Sequence, residues 1–213
     1  MTQTEAPLPP PDNPAPPGQN TLHGILWMLG SGLSFVGVTG VVRALGTDIP
    51  AAQSAFIRFA WGVLFLLPSL LPILRAGIPA RVMRLHLWRG GLHIAAVICW
   101  FYAMARIPLA EVTAIGYLNP VLLTVLTALF LGERLALRRM AAIGVALIGA
   151  LIVLRPGLRE VTDGHLSQVA AACFFASSYA IAKHLSSLVG VGQAVAVLSL
   201  IVTLGLAPLA WWV

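Results

Sequence analysis

Charged residues are scarce in this chain of 213 residues, where Asp, Glu, Lys and Arg together make up only 9%. A soluble domain carries about 25% of such residues, because they form its water-facing surface. Hydrophobic residues account for 59% of the sequence, and the mean hydropathy is +0.91. This composition excludes a soluble globule and, over most of the length, a disordered chain. It indicates a polytopic membrane protein.

Sequence motifs of enzymes are absent as well. The chain has no His-Glu-x-x-His, no Gly-x-Ser-x-Gly, no Walker loop and no pair of aspartates within an apolar run. Its two cysteines, Cys99 and Cys173, have the spacing of neither a metal site nor a disulfide framework, and we interpret them as buried packing residues. We therefore predict that the protein is not an enzyme and that it binds no cofactor and no metal.

The few charges are unevenly signed, with thirteen Lys and Arg against seven Asp and Glu and a net charge of +6. In a soluble chain this excess would suggest a nucleic-acid partner. Here the basic residues lie between long apolar runs, where the positive-inside rule of membrane proteins explains them better. We predict no nucleic-acid partner.

Residues 1–20 contain seven prolines among small polar residues. Proline lacks the N–H group that helices and sheets need, and nothing in this segment could form a core. We predict a disordered N-terminal tail over residues 1–20.

Seven apolar runs of about 20 residues follow, each long enough to cross a hydrocarbon core about 30 Å thick. They lack the alternation of barrel strands, and helices satisfy their own backbone groups in lipid. The sequence thus predicts an all-α bundle of about seven transmembrane helices in the lipid bilayer. The predicted spans are Leu22–Val42, Ala51–Ile73, Leu85–Ala105, Leu109–Leu131, Arg139–Leu154, Gly164–Leu185 and Val191–Trp212.

Loop arginines predict the orientation of this bundle, because cytoplasmic loops carry an excess of Lys and Arg. A cytoplasmic N-terminus places eight basic residues inside and four outside, and we predict that orientation. The inside set is Arg75, Arg81, Arg84, Arg89, Arg134, Arg138, Arg139 and Lys183. The outside set is Arg43, Arg106, Arg155 and Arg159.

A weak internal repeat appears at an offset of 140 residues. The matched pairs are Gly24 with Gly164, Phe35 with Phe175, Arg43 with Lys183, Gln53 with Gln193 and Pro68 with Pro208. Five spans fit into one period, and an odd number of spans inverts the second copy in the membrane, as in secondary transporters. The predicted domains are a first repeat over 21–158 and the start of a second over 159–213. A second copy of equal length would extend to about residue 295, so we expect this second repeat to be incomplete.

Ionisable side chains inside a bilayer are costly, so each one in an apolar run is a candidate for function. Arg58, about seven residues into the second span, could hold an anionic or carboxylate group of a substrate in a central cavity. The alternative is an arginine that reaches out to the interface or pairs with helix carbonyls. His93 in the third span is a candidate proton relay, although a hydrogen bond to a neighbouring helix is the commoner role.

Two aromatic residues and one acid are further candidates for substrate binding. Trp100 and Tyr102 lie near the outer end of the third span, where they line a cavity or, more commonly at this depth, form an interfacial belt. Glu111 opens the fourth span, where the positive end of the helix dipole stabilises a carboxylate. The functional alternative for Glu111 is a carboxylate coupled to a proton or to the substrate.

Asn119 and Pro120 interrupt the fourth span at its middle, and Tyr117 places a further polar tip beside them. A discontinuous helix at the midplane is the best sequence indicator of a transport site. We therefore predict that Tyr117, Asn119 and Pro120 bind substrate. At the end of the same span, Gly132–Glu133–Arg134 suits a helix cap followed by a carboxylate at the next helix N-terminus, so we predict a structural role for Gly132, Glu133 and Arg134.

The stretch from Phe101 to Leu135 resembles the EamA family of the drug/metabolite transporter superfamily. The resemblance rests on an aromatic–alanine start, a short loop, a mid-helix proline and a terminal Gly-Glu-Arg-Leu. Arg58-Phe59 in the second span is also similar to the family's second-helix arginine. The first repeat, about Leu22 to Leu154, matches throughout, and the second matches over its first two helices.

This resemblance implies ten helices in two inverted five-helix repeats with both termini cytoplasmic, that is, three helices beyond the seventh. It implies proton- or gradient-driven movement of small metabolites, often export of amino acids or related compounds, in the inner membrane of a bacterium. By motif position, the residues that carry over from the family are Arg58, Glu111, Pro120 and Glu133.

The sequence thus predicts a secondary transporter, a permease that moves a small molecule such as an amino acid, an amine or a drug-like compound by alternating access. The alternative is a non-transporting membrane interaction subunit, a degenerate half-transporter. A further alternative is a homodimer in which two chains supply the missing helices to each other.

Overall fold

The computed structural model describes residues 21–45, 48–131, 137–154 and 160–212, and these residues form eight α-helices and no strand. The helices are α1 (Thr21–Leu45), α2 (Ala51–Ala76), α3 (Ala80–Arg106), α4 (Leu109–Gly116), α5 (Leu118–Leu131), α6 (Leu137–Leu154), α7 (Asp163–Val189) and α8 (Val191–Trp212). The predicted all-α fold class is confirmed. The predicted tail over residues 1–20 lies outside the described residues.

Helix lies at each of the seven predicted spans, with α4 and α5 together forming the fourth. Within the described ranges, five spans are long and apolar enough to cross a membrane, and a shorter apolar helix runs over Met140–Gly149 in α6. The 27-residue helix α7 is more polar, since Ser167, Gln168 and Ser178 interrupt its apolar sequence. The chain is therefore a multi-pass membrane protein.

The chain divides into two units, residues 1–40 and 41–213. The described part of the first unit, residues 21–40, is helical, and Ser34 Oγ donates a hydrogen bond to the carbonyl oxygen of Gly30 one turn earlier. Within this unit, large apolar side chains such as Trp27 and Met28 lie on the surface of the helix.

In the second unit, α2 and α8 pack side by side in opposite directions. Gln53 Nε2, in the first turn of α2, donates to the carbonyl oxygen of Ala210, in the last turn of α8, at 3.1 Å. Further along the pair, Leu70 of α2 packs with Ala196 and Val197 of α8. These two helices begin 140 residues apart, which is the offset of the predicted repeat. Their antiparallel packing is the relation that an inverted repeat requires.

Helix α3 packs against both α7 and α8. Two glycines allow α3 and α8 to approach closely, because a Cβ at Gly90 would overlap the side chain of Ile201 and one at Gly205 would overlap Ile94. Small residues at such contacts strengthen van der Waals packing between membrane helices. Of the two cysteines expected to be buried, Cys99 on α3 is half-buried, whereas Cys173 on α7 is exposed, so that prediction is wrong for Cys173.

Candidate functional site

A row of polar residues runs along the buried face of α3. His86, Arg89 and His93 follow one another at helical spacing, and their exposed fractions are 0%, 6% and 8%. Arg89 was assigned to the cytoplasmic loop from its sequence, but it lies within α3 and donates from Nη1 to the carbonyl oxygen of Ala194 on α8 at 2.8 Å.

His93 lies where α2, α3 and α7 meet. Its Nδ1 is 3.2 Å from Ser178 Oγ on α7, and that hydroxyl donates to the carbonyl oxygen of Arg89 at 3.3 Å. Which of the two atoms donates in the His93–Ser178 bond depends on the tautomer of the imidazole. The structure thus gives His93 the hydrogen bond to a neighbouring helix that the sequence suggested as its commoner role.

Aromatic rings surround the His93 imidazole on two sides. Phe59 of α2 and Phe175 of α7 meet it edge to face, with ring centroids 5.8 and 5.2 Å away. Tyr179 lies 6.2 Å from His93 and stacks on Phe175 at 5.8 Å with an angle of 15° between the rings. Edge-to-face and stacked pairs at these distances are the favourable arrangements of aromatic rings.

Arg58 completes this group, with its guanidinium carbon 5.0 Å above the ring of Phe59. Arg58 and Arg89 both interact electrostatically with His93 and with the Tyr179 hydroxyl. Within the described residues, neither arginine forms an ion pair with a carboxylate, and Nε of Arg89 has no hydrogen-bond partner. We refer to Arg58, Phe59, Arg89, His93, Phe175 and Tyr179 as the aromatic–arginine cluster.

The two aromatic residues predicted on α3 lie in different surroundings. Trp100 is only 6% exposed and packs edge to face against Phe101 and Phe175, so the prediction of an interfacial belt is wrong for it. Tyr102 is half-buried near the end of α3, with the guanidinium carbon of Arg106 3.6 Å above its ring. The structure therefore places Trp100 beside the aromatic–arginine cluster and Tyr102 further along the helix.

The predicted discontinuity of the fourth span is present, and it lies three residues before Pro120. Helix α4 ends at Gly116 and α5 begins at Leu118, with Tyr117 between them. The ring of a proline clashes with the carbonyl of the fourth residue before it, which here is Gly116. Pro120 thereby occupies the first turn of α5, where its missing N–H breaks no helix hydrogen bond.

The residues at this break face different surroundings. Tyr117 and Pro120 are exposed and Asn119 is half-buried, and none of the described hydrogen bonds or ring contacts joins these three to the aromatic–arginine cluster. Gln168 of α7 donates from Nε2 to the carbonyl oxygen of Val112 in α4 at 3.0 Å. Its buried Oε1 has no hydrogen-bond partner among the described residues. Sequence reasoning missed Gln168, although an amide within an apolar span was a usable signal.

Glu111 is buried in the first turn of α4 and bonds to a histidine that the sequence did not single out. Its Oε2 lies 2.8 Å from Nε2 of His165, in the first turn of α7. Glu111 therefore has both the helix N-terminal position predicted for it and a histidine partner on α7. Nearby, Arg43 donates from Nη1 to the carbonyl oxygens of Met104 and Ile107, which fixes the turn before α4.

A cavity of about 420 Å³ lies between α3, α5 and α7. Ser177 and Ala180 of α7 are among its lining residues, whereas no residue of the aromatic–arginine cluster lines it. The other lining residues are Leu85, Leu126, Phe130, Ile181 and His184. The residues predicted to have a structural role, Gly132, Glu133 and Arg134, lie outside the described residues.

The antiparallel packing of α2 on α8, a span broken at its middle and a buried polar cluster between α2, α3 and α7 define a polytopic membrane helix bundle. The chain belongs to the EamA-like transporter family, whose model matches residues 22–155.

Three relatives are transporters by name. The riboflavin transporter of Vibrio cholerae is 30% identical over 170 residues, which cover 78% of this chain and 57% of that protein. The pseudopaline exporter of Pseudomonas aeruginosa is 28% identical over 137 residues, or 62% and 46% of the two chains. The S-adenosylmethionine uptake transporter of Rickettsia bellii is 28% identical over 153 residues, or 72% and 53%. The chain spans about half the length of these curated relatives, and no solved structure matches it.

Proposed function

We propose that this protein is a secondary transporter that moves a small metabolite, an amino acid, an amine or a drug-like compound, across the bacterial inner membrane by alternating access. Its N-terminus is cytoplasmic in this proposal. Family membership and the names of the relatives support it. The observation that carries it is the aromatic–arginine cluster, because α2 and α3 of the first repeat meet α7 of the second there. Any movement of one copy against the other would change this cluster.

The charges of the cluster narrow the class of substrate. Arg58 and Arg89 both place positive charge near His93, and the acidic residues of the described helices are Glu111 and Asp163. Those two lie near the Arg106 end of α3, thirteen residues or about 20 Å along the helix from His93. Like charges repel strongly away from bulk water, so the cluster disfavours a cationic substrate. A neutral or anionic compound fits better.

The rings of the cluster favour a substrate that itself carries a planar ring. The rings of Phe175 and Tyr179 stack on each other, and those of Phe59 and His93 meet edge to face. Aromatic contacts of this kind add to the free energy of burying an apolar surface. Of the compounds named for the relatives, riboflavin is an uncharged ring system, whereas S-adenosylmethionine carries a sulfonium cation. We therefore propose a riboflavin-like chemistry rather than that of an S-adenosylmethionine-like cation.

The cavity between α3, α5 and α7 has space for a compound of this size. Its volume of about 420 Å³ lies in the range of 300–1,000 Å³ of ordinary small-molecule sites. The break at Gly116–Tyr117 supplies a hinge, since α4 and α5 can change their mutual angle without breaking an intact helix. In this mechanism the chain binds, encloses and releases its substrate, and no covalent step occurs.

The experiment is flux into proteoliposomes that contain the purified full-length protein, measured with an imposed proton gradient of either direction. The probes are riboflavin and S-adenosylmethionine. We expect saturable riboflavin flux that exceeds S-adenosylmethionine flux, and a reduction of about tenfold in Arg58→Ala, which removes one cation from the cluster. Arg75→Ala is the matched control, because Arg75 is an exposed arginine in the last turn of the same helix.

Equal flux in Arg58→Ala and Arg75→Ala would contradict the site. Preference for S-adenosylmethionine would contradict the class of substrate. Failure of both probes to cross under either gradient would contradict riboflavin-like transport and favour the non-transporting interaction subunit.

A further inference from the structure

We propose that a groove along the exposed side of α3 binds an anionic phospholipid, with the lipid phosphate at Arg84 and an acyl chain along the helix. The groove has a volume of about 370 Å³. Its lining residues recur at helical spacing on α3, and they are Arg84, Leu87, Trp88, Gly91, Leu92 and Ala95. This proposal does not depend on the proposed transport function.

The groove lies on the side of α3 that faces away from the aromatic–arginine cluster. At 3.6 residues per turn, its lining residues project opposite to Arg89 and His93, which are buried. Leu87 is 54% exposed and Trp88 71% exposed, and a Cβ added at Gly91 would meet open space. Gly91 therefore leaves a notch between larger side chains. An exposed apolar surface of this kind marks a contact with lipid or with another protein.

The order of residues along the groove matches the chemical order of a phospholipid. Arg84 supplies a cation at the end of the groove nearest the start of α3. Trp88 follows one turn, or about 6 Å, further along, and its indole N–H forms none of the described hydrogen bonds. Indole rings prefer the depth at which headgroup and hydrocarbon meet. Gly91, Leu92 and Ala95 continue the groove as an apolar channel to about 16 Å from Arg84.

The guanidinium group of Arg84 is available for a phosphate. Arg84 is exposed, and within the described residues it forms no ion pair and no side-chain hydrogen bond. A guanidinium donates two parallel hydrogen bonds to a phosphate, which is the strong arrangement for this pair. Arg81 lies one turn before Arg84 and is also exposed. Clustered arginines beside a membrane span are typical of surfaces that bind anionic lipid.

No carboxylate of the described residues competes with a phosphate for this arginine, because the described acids lie at the opposite end of the bundle. The first turn of α2 shares a cavity with Arg106 at the end of α3, and Gly164 in the first turn of α7 packs against Ile107. Arg106 lies about 33 Å along α3 from Arg84. The acids, which adjoin these first turns and that of α4, are Asp48, Glu111, Glu160 and Asp163.

This separation of charge favours an anionic lipid over other occupants of the groove. An apolar helix of a second copy would fill the channel but bring no negative group to Arg84. A zwitterionic lipid would bring its phosphate together with a cation, which the neighbouring Arg81 repels. A phospholipid whose headgroup carries a net negative charge satisfies both the arginine end and the apolar channel.

Native mass spectrometry of the full-length protein in detergent tests the proposal. The probes are phosphatidylglycerol and phosphatidylcholine with identical acyl chains, and we expect the first phosphatidylglycerol to bind about tenfold more tightly. Arg84→Ala should reduce that preference about fivefold, which is the contribution of one arginine near an anionic surface. Arg75→Ala is the matched control, because Arg75 is an exposed arginine at the same end of the bundle that does not line the groove. It should keep the preference within about twofold.

A second pair of variants tests the acyl-chain channel without changing charge. Gly91→Leu fills the notch and should weaken phosphatidylglycerol binding about tenfold. Gly62→Leu on α2, where an added Cβ also meets open space, should leave it unchanged.

Equal affinity of the wild-type protein for the two lipids would overturn the proposal, and this comparison needs no variant to fold. Equal losses in Arg84→Ala and Arg75→Ala would also overturn it, since they would show a general attraction to the basic end. Displacement of bound phosphatidylglycerol by millimolar inorganic phosphate would contradict a lipid site, because the acyl chain would then contribute nothing. None of these results depends on whether riboflavin crosses the membrane.

Discussion

Gln53, in the first turn of α2, donates a hydrogen bond to the carbonyl oxygen of Ala210, in the last turn of α8. The repeat pairs Gln53 with Gln193, which lies in the first turn of α8 at the opposite end of this helix pair. The two helices that the predicted repeat aligns thus run antiparallel and in contact. Arg58 and Phe59 lie one to two turns beyond Gln53 on α2, so the aromatic–arginine cluster lies beside the α2–α8 pair.

Ser178 holds the position of His93, and its removal should destabilise the protein. In Ser178→Ala the buried Nδ1 of His93 loses its hydrogen-bond partner, at an expected cost of about 1–3 kcal/mol in the free energy of unfolding. Denaturant unfolding in detergent measures this change. In the control Ser177→Ala, the lost hydroxyl bonds only to the carbonyl of Cys173 in its own helix, and we expect a change below about 0.5 kcal/mol. Equal effects of the two variants would mean that the His93–Ser178 bond contributes nothing specific.

Adjacent glycines on α3 provide a matched test of its contact with α8. A Cβ at position 90 would overlap Ile201, whereas a Cβ at position 91 would meet open space. We expect Gly90→Ala to lower the unfolding free energy by about 1–3 kcal/mol because the helices must separate. Gly91→Ala should leave it unchanged or raise it by up to about 1 kcal/mol through helix propensity. A stabilised Gly90→Ala variant would be inconsistent with the close approach of α3 and α8.

The break between α4 and α5 should depend on Pro120. In Pro120→Ala the clash with the Gly116 carbonyl disappears and a backbone N–H becomes available to it, so α4 and α5 can join into one helix. We expect amide protection at residues 117–121 to rise in hydrogen–deuterium exchange and riboflavin flux to slow. Pro72→Ala, within α2, should change protection in α2 alone. Unchanged protection at 117–121 would show that another feature sets the break.

Features that depend on composition and period were readable from the sequence. A span is a long apolar run, so the helices could be placed without knowledge of their neighbours. The 140-residue period with an odd number of spans predicted an inverted arrangement, and the antiparallel packing of α2 and α8 is compatible with it. The broken span followed from Pro120, although the break itself lies at Gly116 because the proline ring acts on the carbonyl four residues back.

Features that depend on which helices touch were not readable from the sequence. The sequence of Arg89 resembles that of a loop arginine, and its hydrogen bond to the carbonyl oxygen of Ala194 depends on the packing of α8 against α3. His165 opens α7 like an ordinary capping residue, and only the packing of α4 on α7 brings it to Glu111. Trp100 has the position of a belt residue, but Phe175 of α7 covers it. In each case the partner is distant in sequence, and no local pattern identifies it.

The central claim is that a ring-bearing neutral or anionic compound binds at the aromatic–arginine cluster. Quenching of riboflavin fluorescence by the purified protein in detergent measures such binding directly. We expect saturable quenching that weakens about tenfold in Phe175→Ala, which removes the stacked ring beside His93. In Phe174→Ala, whose half-buried ring makes none of the described ring contacts, the affinity should stay unchanged. Absence of saturable quenching in the wild-type protein, or equal loss in both variants, would contradict the account.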